Sequence, residues 1–424
     1  MQDRVILHCD LNNFYASVEQ VLNPDLIGKP IAVCGDPEKR HGIVLAKSTV
    51  AKQAGVQTAE PIWQAKRKCP DLIIVPPHYN EYVKYSKIVR EIYVEFTAEV
   101  ESFGLDECWL DVTGSQKLFG TPKEIAEKIR EEVKRRTGGL TVSIGVSFTK
   151  VFAKLGSDLK KPDAVTVIDR NNYKKVAWSL DVGEMLYVGR STRQKLKMLN
   201  INTIGDLANA DTALIKRLFG KSGESMLQNA RGIETDAVRC YTDRHIPESI
   251  GNGTTTPDDI ASRMDASSVI YALSEMVAFR MRSHGAVGDV VTISVRDKEL
   301  KHCSRQAKLH TPTNASDVIA KKALALLDEF YDFRHKLPIR TITVTMHGLS
   351  MGGDFIQVDF LDDSNDKNEK LDQAIDKLRS KFGYNIIKRA LNIGTIYSCD
   401  RSDDEEDFIP FDKRMNAQEG DKII

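Results

Sequence analysis

An apolar strand-like run that ends on an acid opens the chain: residues 4–11 read Arg-Val-Ile-Leu-His-Cys-Asp-Leu. Much later, two short strands at 100–104 and 108–113 flank the adjacent acids Asp106-Glu107. Neighbours along a regular strand point to opposite faces, but at a hairpin tip that alternation breaks. Asp106 and Glu107 can therefore both face the end of strand 4–11, where Asp10 sits. Three carboxylates on one sheet edge repel unless a cation lies between them. Oxygen-only ligands with open positions suit Mg²⁺, and a pair of such ions about 3.5–4 Å apart serves phosphoryl transfer. The same spacing also fits acids at an exposed turn, where Asp is common. Asp111, inside strand 108–113, reads as an outward-facing or hydrogen-bonding residue instead.

The surrounding pattern supplies the sheet. Phe14, Val18 and Val21 sit at helical spacing in 13–22, and Tyr82, Tyr85, Val89, Ile92 and Phe96 in 80–96. Thr121-Pro122-Lys123-Glu124 is a capping box with Pro at the first helical position, ahead of the stripe Ile125, Ile129, Val133. Strands at 141–147 and 164–168 flank a short helix at 150–158. This order is a split βαβ arrangement, interrupted by an inserted subdomain at 28–78. Residues 171–240 read as helical, and 248–350 as a second α/β unit with strands 290–297 and 341–349 and helices 265–283 and 315–333. Beyond 351 the sequence loosens, apart from an amphipathic helix at 367–382. The fold class is α+β and multidomain.

A length of 424 residues predicts two to four domains. Seven scattered cysteines, none in a C-x-x-C pair, read as reduced thiols of a cytoplasmic protein. No apolar run reaches the ~18 residues of a membrane span, so no membrane partner is expected. The net charge of zero hides a division. Residues 1–350 carry 49 basic and 43 acidic residues, whereas 351–424 carry 11 and 17, with the run Asp403–Asp407 as the extreme. A mildly basic body permits nucleic-acid binding without requiring it.

Taken in order, HCDLNNFYASVE, GIVLAKS, ESFGLDECWLDVT, SIGVSFTKVFAKLGSDLKKP and ESIGNGTTT resemble the Y-family translesion DNA polymerases, in their DNA polymerase IV branch. The likeness runs from about residue 4 to 349. It implies a ferredoxin-like catalytic palm at 1–27 and 79–170 with inserted fingers at 28–78. A helical thumb with a helix-hairpin-helix follows at 171–244, then a DNA-binding little finger at 245–350. Residues 351–424 form a C-terminal tail with a segment for docking on the sliding clamp.

The resemblance implies that Asp10, Asp106 and Glu107, with the Leu11 carbonyl, hold two Mg²⁺ ions. It places Tyr15, beside Phe14, as the steric gate, a flat ring that tolerates hydrogens at C2′ and collides with a hydroxyl. Lys161 matches the lysine that reaches the triphosphate, and Asp158 its supporting acid. Thr49 and Lys52 depart from the pattern, standing where a tyrosine and an arginine usually contact the β- and γ-phosphates. Lysine cannot form arginine's bidentate fork.

For DNA holding, Gly189 and Lys195 belong to a helix-hairpin-helix whose usual first glycine is Tyr187. Backbone N–H groups at such a helix start meet a phosphate. Arg296, Arg305 and Arg340 fall on or beside strands of the little finger, where phosphate contacts give salt-sensitive affinity without sequence choice. Gln357, Val358, Phe360 and Leu361 resemble a clamp-docking peptide with its last two residues inverted; an apolar patch in a tail equally fits a strand packed on its own domain. Phe219-Gly220-Lys221-Ser222-Gly223 lacks the upstream glycine and strand of a P-loop. The implied protein is a monomeric, lesion-tolerant, low-fidelity DNA polymerase without proofreading, acting on primer-template DNA and deoxynucleoside triphosphates. A non-catalytic DNA-binding relative and a nucleotidyl cyclase are the competing readings; the cyclase leaves the thumb and little-finger segments unexplained.

Overall fold

A computed structural model describes residues 3–36, 42–234, 236–243, 247–351, 364–383 and 386–393. Gln357, Val358, Phe360, Leu361 and the run Asp403–Asp407 lie outside the described residues. The described chain falls into two compact units, one containing 3–33 and 44–243, the other containing 247–351 and the described residues beyond it, with 34–36 and 42–43.

In the first unit, β1 (Ile6–Leu11) is buried along its whole length and leads into α1 (Phe14–Leu22). The insertion then holds β2 (Ile31–Cys34), β3 (Val44–Lys47), α2 (Thr49–Gln53), α3 (Ile62–Lys68) and β4 (Ile73–Val75). Its strands make a separate small sheet in the order β3-β2-β4, too short to stand out in the sequence pattern. Next come α4 (Tyr79–Phe96), β5 (Val100–Ser102), β6 (Glu107–Asp111), α5 (Gln116–Phe119), α6 (Pro122–Arg136), β7 (Val142–Ser147), α7 (Lys150–Leu159) and β8 (Val165–Ile168).

The main sheet runs β5-β6-β1-β7-β8. Its first four members have the ferredoxin-like order, with β6 and β7 antiparallel to the central β1 and β8 added parallel to β7. A strand covered on both faces needs an apolar run without polar alternation, which explains residues 5–9. One face carries Leu7, Cys9 and Leu11 into a core with Tyr82, Val89 and Ile92 of α4 and Ile125, Ile129 and Val133 of α6. The expected capping box starts α6, with the Thr121 hydroxyl accepting from the Glu124 N–H. The opposite face carries Ile6, which packs with Trp109 and with Ala153 of α7.

Helices α8 (Tyr173–Val176), α9 (Arg190–Met198), α10 (Ile204–Asn209) and α11 (Thr212–Ala230) follow. Gly220 interrupts α11 with φ 62° and ψ −143°, dividing it into two arms. Such a φ is open to glycine and strained for most other residues. This turn, rather than a phosphate loop, is what Phe219–Gly223 forms.

The second unit contains β9 (Ser249–Ile260), α12 (Arg263–Ser283), β10 (Ala286–Asp297), β11 (His302–Thr313), α13 (Ser316–Phe330), β12 (Ile339–His347), β13 (Ser350–Met351) and α14 (Ser364–Phe382). Its antiparallel sheet runs β11-β10-β12-β9. Val291, Ile293 and Val295 of β10 and Ile342, Val344 and Met346 of β12 face α12 and α13. The amphipathic helix expected at 367–382 is present as α14 and belongs to this unit. Arg282 of α12 makes a two-pronged contact with Asp376, at 2.7 and 3.0 Å. Among the described residues, no helix is long and apolar enough to cross a membrane.

Candidate active site

The register of β1 on β6 makes Asp10 and Glu107 direct cross-strand partners, just as it pairs His8 with Trp109. All four therefore share the face that α7 covers. Ligand atoms of His8, Asp10 and Glu107 lie within 4.8 Å of one another. His8 is fully buried, its Nδ1 2.9 Å from the Ser157 hydroxyl of α7, and its Nε2 approaches Glu107 Oε2 at 3.2 Å.

Asp106 sits one residue before β6 and is not in that group of three. Its carbonyl accepts a 2.9 Å hydrogen bond from Leu11 N–H, which locks the hairpin tip to the end of β1. Burial, then the charges of Asp10 and Glu107, push its carboxyl up to about 6. Burial works the same way on Glu107, but His8 and Lys154 outweigh it and bring that group down to about 2. Asp111 is the hydrogen-bonding support, its Oδ1 accepting from the Thr113 N–H and hydroxyl at 2.9 and 2.5 Å.

Two lysines meet these acids. Lys154 Nζ lies 3.1 Å from Asp10, 3.0 Å from Glu107 and 3.2 Å from Asp158. Lys161 Nζ lies 2.8 Å from both Asp10 and Asp158. Burial disfavours each ammonium, yet the surrounding carboxylates raise both pKa values above the ordinary lysine range. Lys154 escaped the sequence reading because a lysine four residues before an aspartate on a helix resembles a solvated pair.

The loop bearing Lys161 is anchored by Asn12, also missed: its Oδ1 accepts from Asp163 N–H at 2.8 Å, and its Nδ2 donates to Ser143. A buried Asn directly after a strand is signal enough only once the strand's register is known.

Tyr15, on α1, lies close enough to Asp106 to feel its charge. Burial, then the Asp106 charge and Tyr79, raise its phenol above the ordinary range. Its ring stacks on Tyr82, with centroids 4.2 Å apart and planes 9° from parallel. Phe14 is buried in the core beside it. Thr49 and Lys52 are exposed on α2, and Asn13 Nδ2 donates to the Thr49 hydroxyl at 3.0 Å, tying α2 to the start of α1. Lys47 donates to Thr58 at 2.9 Å; burial, then the Lys52 charge, lowers its pKa.

In the helical region Gly189 caps α9, with open space where a Cβ would stand. Tyr187 has a left-handed backbone, at φ 70°, and is 66% exposed. Lys195 is exposed, whereas Arg193 and Lys197 both pair with Asp181, at 2.8 and 2.7 Å.

On the second unit's sheet, Arg296 lies opposite Thr341 and His302, on the face turned away from the helices. Thr343, Thr345, Gly251 and Gly253 share that face. Arg305 does not: it pairs with the core residue Ile293, and its guanidinium lies 5.5 Å from the Phe330 ring of α13. The two-residue period of an edge strand sends it to the helical side. Arg340 sits at the bulge between Ile339 and Thr341.

Comparison with known proteins agrees with this geometry. The impB/mucB/samB family matches residues 9–158, and that family's C-terminal domain matches 247–360. The DNA polymerase-iota thumb domain matches 186–234. DNA polymerase IV of Acetivibrio thermocellus is 47% identical over 391 residues, covering 92% of this chain and 97% of that protein. DNA polymerase IV 1 of Bacillus subtilis is 34% identical over 421 residues, covering 96% and 99%. A chimeric Y-family DNA polymerase of known structure shares the fold, with a TM-score of 0.73 at 23% identity over 82% of this chain and 99% of that one. The chain is a DNA-directed DNA polymerase and belongs to the impB/mucB/samB family, the Y family of DNA polymerases, in its DNA polymerase IV branch.

Proposed function

We propose that this polymerase adds deoxynucleotides to a primer 3′-hydroxyl with two Mg²⁺ ions at Asp10, Asp106, Glu107 and the Leu11 carbonyl. The observation that carries the reading is the cross-strand pair Asp10–Glu107 with an ammonium ion between its oxygens. A place that gathers two carboxylates around a cation has the donor chemistry for a hard dication. When bound, such ions activate the attacking hydroxyl and offset charge on the leaving group.

The chain's own side chains do the positioning. The Tyr15 ring, backed by Tyr82, is the wall against the sugar, and a 2′-hydroxyl collides with it. Lys161 is within reach of a triphosphate that approaches Asp10, and Asp158 orients it. Lys52, with Lys47 nearby, supplies point charges in place of an arginine fork, and Thr49 offers one hydroxyl held by Asn13. DNA phosphates meet the backbone N–H groups at Gly189 and the Lys195 ammonium in the thumb (171–244). The Arg296-bearing, hydroxyl-rich sheet face of the little finger (245–350) takes the duplex backbone, with Arg340 at its edge. The palm (1–27 and 79–170) and fingers (28–78) enclose the nascent pair. The polymerase is lesion-tolerant and of low fidelity, without proofreading, and Gln357–Leu361 docks on the sliding clamp.

Primer extension on undamaged and lesion-bearing templates tests this. The wild type extends both with Mg²⁺, and Asp10→Asn or Asp106→Ala loses on the order of 10³-fold or more in rate. Either variant extending at the wild-type rate overturns the assignment.

A further inference from the structure

We propose that Lys154 is a built-in place-holder cation, occupying the space between Asp10 and Glu107 until a divalent ion displaces it. The position is set by backbone. Helix α7 presses onto β7 where Gly145 and Gly156 meet; a Cβ on Gly145 would stand 1.9 Å from the Ala153 carbonyl oxygen. That contact fixes the stretch from which Lys154 projects. Its ammonium then contacts Asp10 Oδ2 and Glu107 Oε2 at 3.1 and 3.0 Å, with only 15% of the side chain exposed.

The two cations compete for the same oxygens. A Mg²⁺ ligated by these carboxylates sits at about 2.0–2.1 Å from them, inside the shell the ammonium now fills. Lysine is a point charge on a flexible stem with three rotatable donors, so it can leave without moving the helix. Its third partner marks where it goes: Asp158, one turn along α7, is 44% exposed and already 3.2 Å away. Asp10 and Glu107 thus remain compensated without metal, and an ion that takes both their oxygens must first break a direct ion pair.

This rests on reading Asp10 and Glu107 as cation ligands, so the experiment separates the two claims. Binding of Mn²⁺ alone to the full chain is followed by electron paramagnetic resonance of the free ion. Lys154→Met should bind Mn²⁺ at least about tenfold more tightly than the wild type, and Lys154→Arg should stay near it. Without metal, Lys154→Met should melt below the wild type, with the gap closing as Mn²⁺ is added.

Unchanged or weaker Mn²⁺ binding by Lys154→Met, while Asp10→Asn weakens it, overturns the place-holder and leaves the metal site standing. Asp10→Asn binding as tightly as the wild type overturns both. Should Lys154→Met fail to fold, the side-chain ammonium resonance of Lys154 in the wild type decides. Displacement of that resonance on Mg²⁺ addition supports exchange of cations, and an unmoved signal refutes it.

Discussion

The ring of Tyr15 lies parallel to that of Tyr82 at a centroid distance of 4.2 Å, and the Tyr82 hydroxyl donates to the buried carboxylate of Glu19. His78 Nδ1 lies 2.9 Å from the same carboxylate. The candidate gate is therefore a stack whose rear ring is pinned at its polar end. A ring held at both face and edge resists the tilt that a bulkier sugar would require.

Tyr15→Ala should lower discrimination against ribonucleotides by about 100-fold, the scale on which a site rejects an added hydroxyl by shape. Tyr82→Leu removes the backing ring and leaves Tyr15 in place, so its loss should be smaller, about tenfold. Single-nucleotide incorporation with paired deoxy- and ribonucleotides measures both. Discrimination unchanged in Tyr15→Ala removes it from the gate.

Asp106 and Glu107 are sequence neighbours whose pKa values are shifted in opposite directions, and this gives a pH dependence with a definite sign. A carboxyl raised to about 6 from 3.8 binds its proton in the folded state first. Its effect is to make the metal-free fold gain stability as pH falls from about 6 towards 3.8. Glu107, lowered to about 2 from 4.5, contributes stability that is lost as pH falls below about 4.5. For metal binding the proton on Asp106 is a competitor. Apparent Mg²⁺ affinity in primer extension should be flat above about pH 7 and fall by up to tenfold per unit below about pH 6. A midpoint that does not move across that window excludes Asp106 from the ligand set.

Much of this site is legible in the sequence. The capping box, the helices and the acid at the end of the first strand all carry local signals, and a hairpin between strands brings its acids to one edge. What stayed hidden depends on register. Lys154 matters through Asp10 and Glu107, and Asn12 through Ser143 and Asp163, all on other elements distant in sequence, and each alone looks ordinary. β9 and β11 were hidden because their open faces are Gly, Thr, Ser, Gln, Lys and His, which read as loop. The face of Arg305 was hidden for the same reason, since it follows from the pairing with Ile293.

Gly145 shows how little tolerance the lysine-bearing helix has. A Cβ there would meet the Ala153 carbonyl at 1.9 Å and the Ser157 N–H at 2.5 Å, both backbone atoms that cannot rotate away. Gly145→Ala should cost about 3 kcal/mol or more, the upper part of the overpacking range. It should also disturb the His8–Ser157 contact across the same gap. Chemical denaturation gives the first effect. A fall in primer extension under conditions where the variant remains folded gives the second. A variant as stable and active as the wild type would show that α7 is free to lift.

Arg282 and Asp372 make the final helix part of the second unit rather than an appendage. The guanidinium is 10% exposed and meets Asp372 at 3.1 Å, Asp376 at 2.7 Å and the Asn314 carbonyl at 2.8 Å. Asp372 also accepts from the Ser316 N–H and hydroxyl, at 2.7 and 2.9 Å. Ala315, the residue before α13, supplies no side-chain cap, so a carboxylate from α14 serves that helix start instead. Removing one partner of a buried ion pair leaves the other uncompensated, at a cost of about 3–5 kcal/mol. Arg282→Met should therefore destabilise the unit by about that much, and amide hydrogen exchange across 367–382 should rise with it. Asp372→Ala should in addition speed exchange at the first turn of α13, which Arg282→Met should affect less. If exchange in α14 is already fast in the wild type, the ion pairs do not hold the helix in solution.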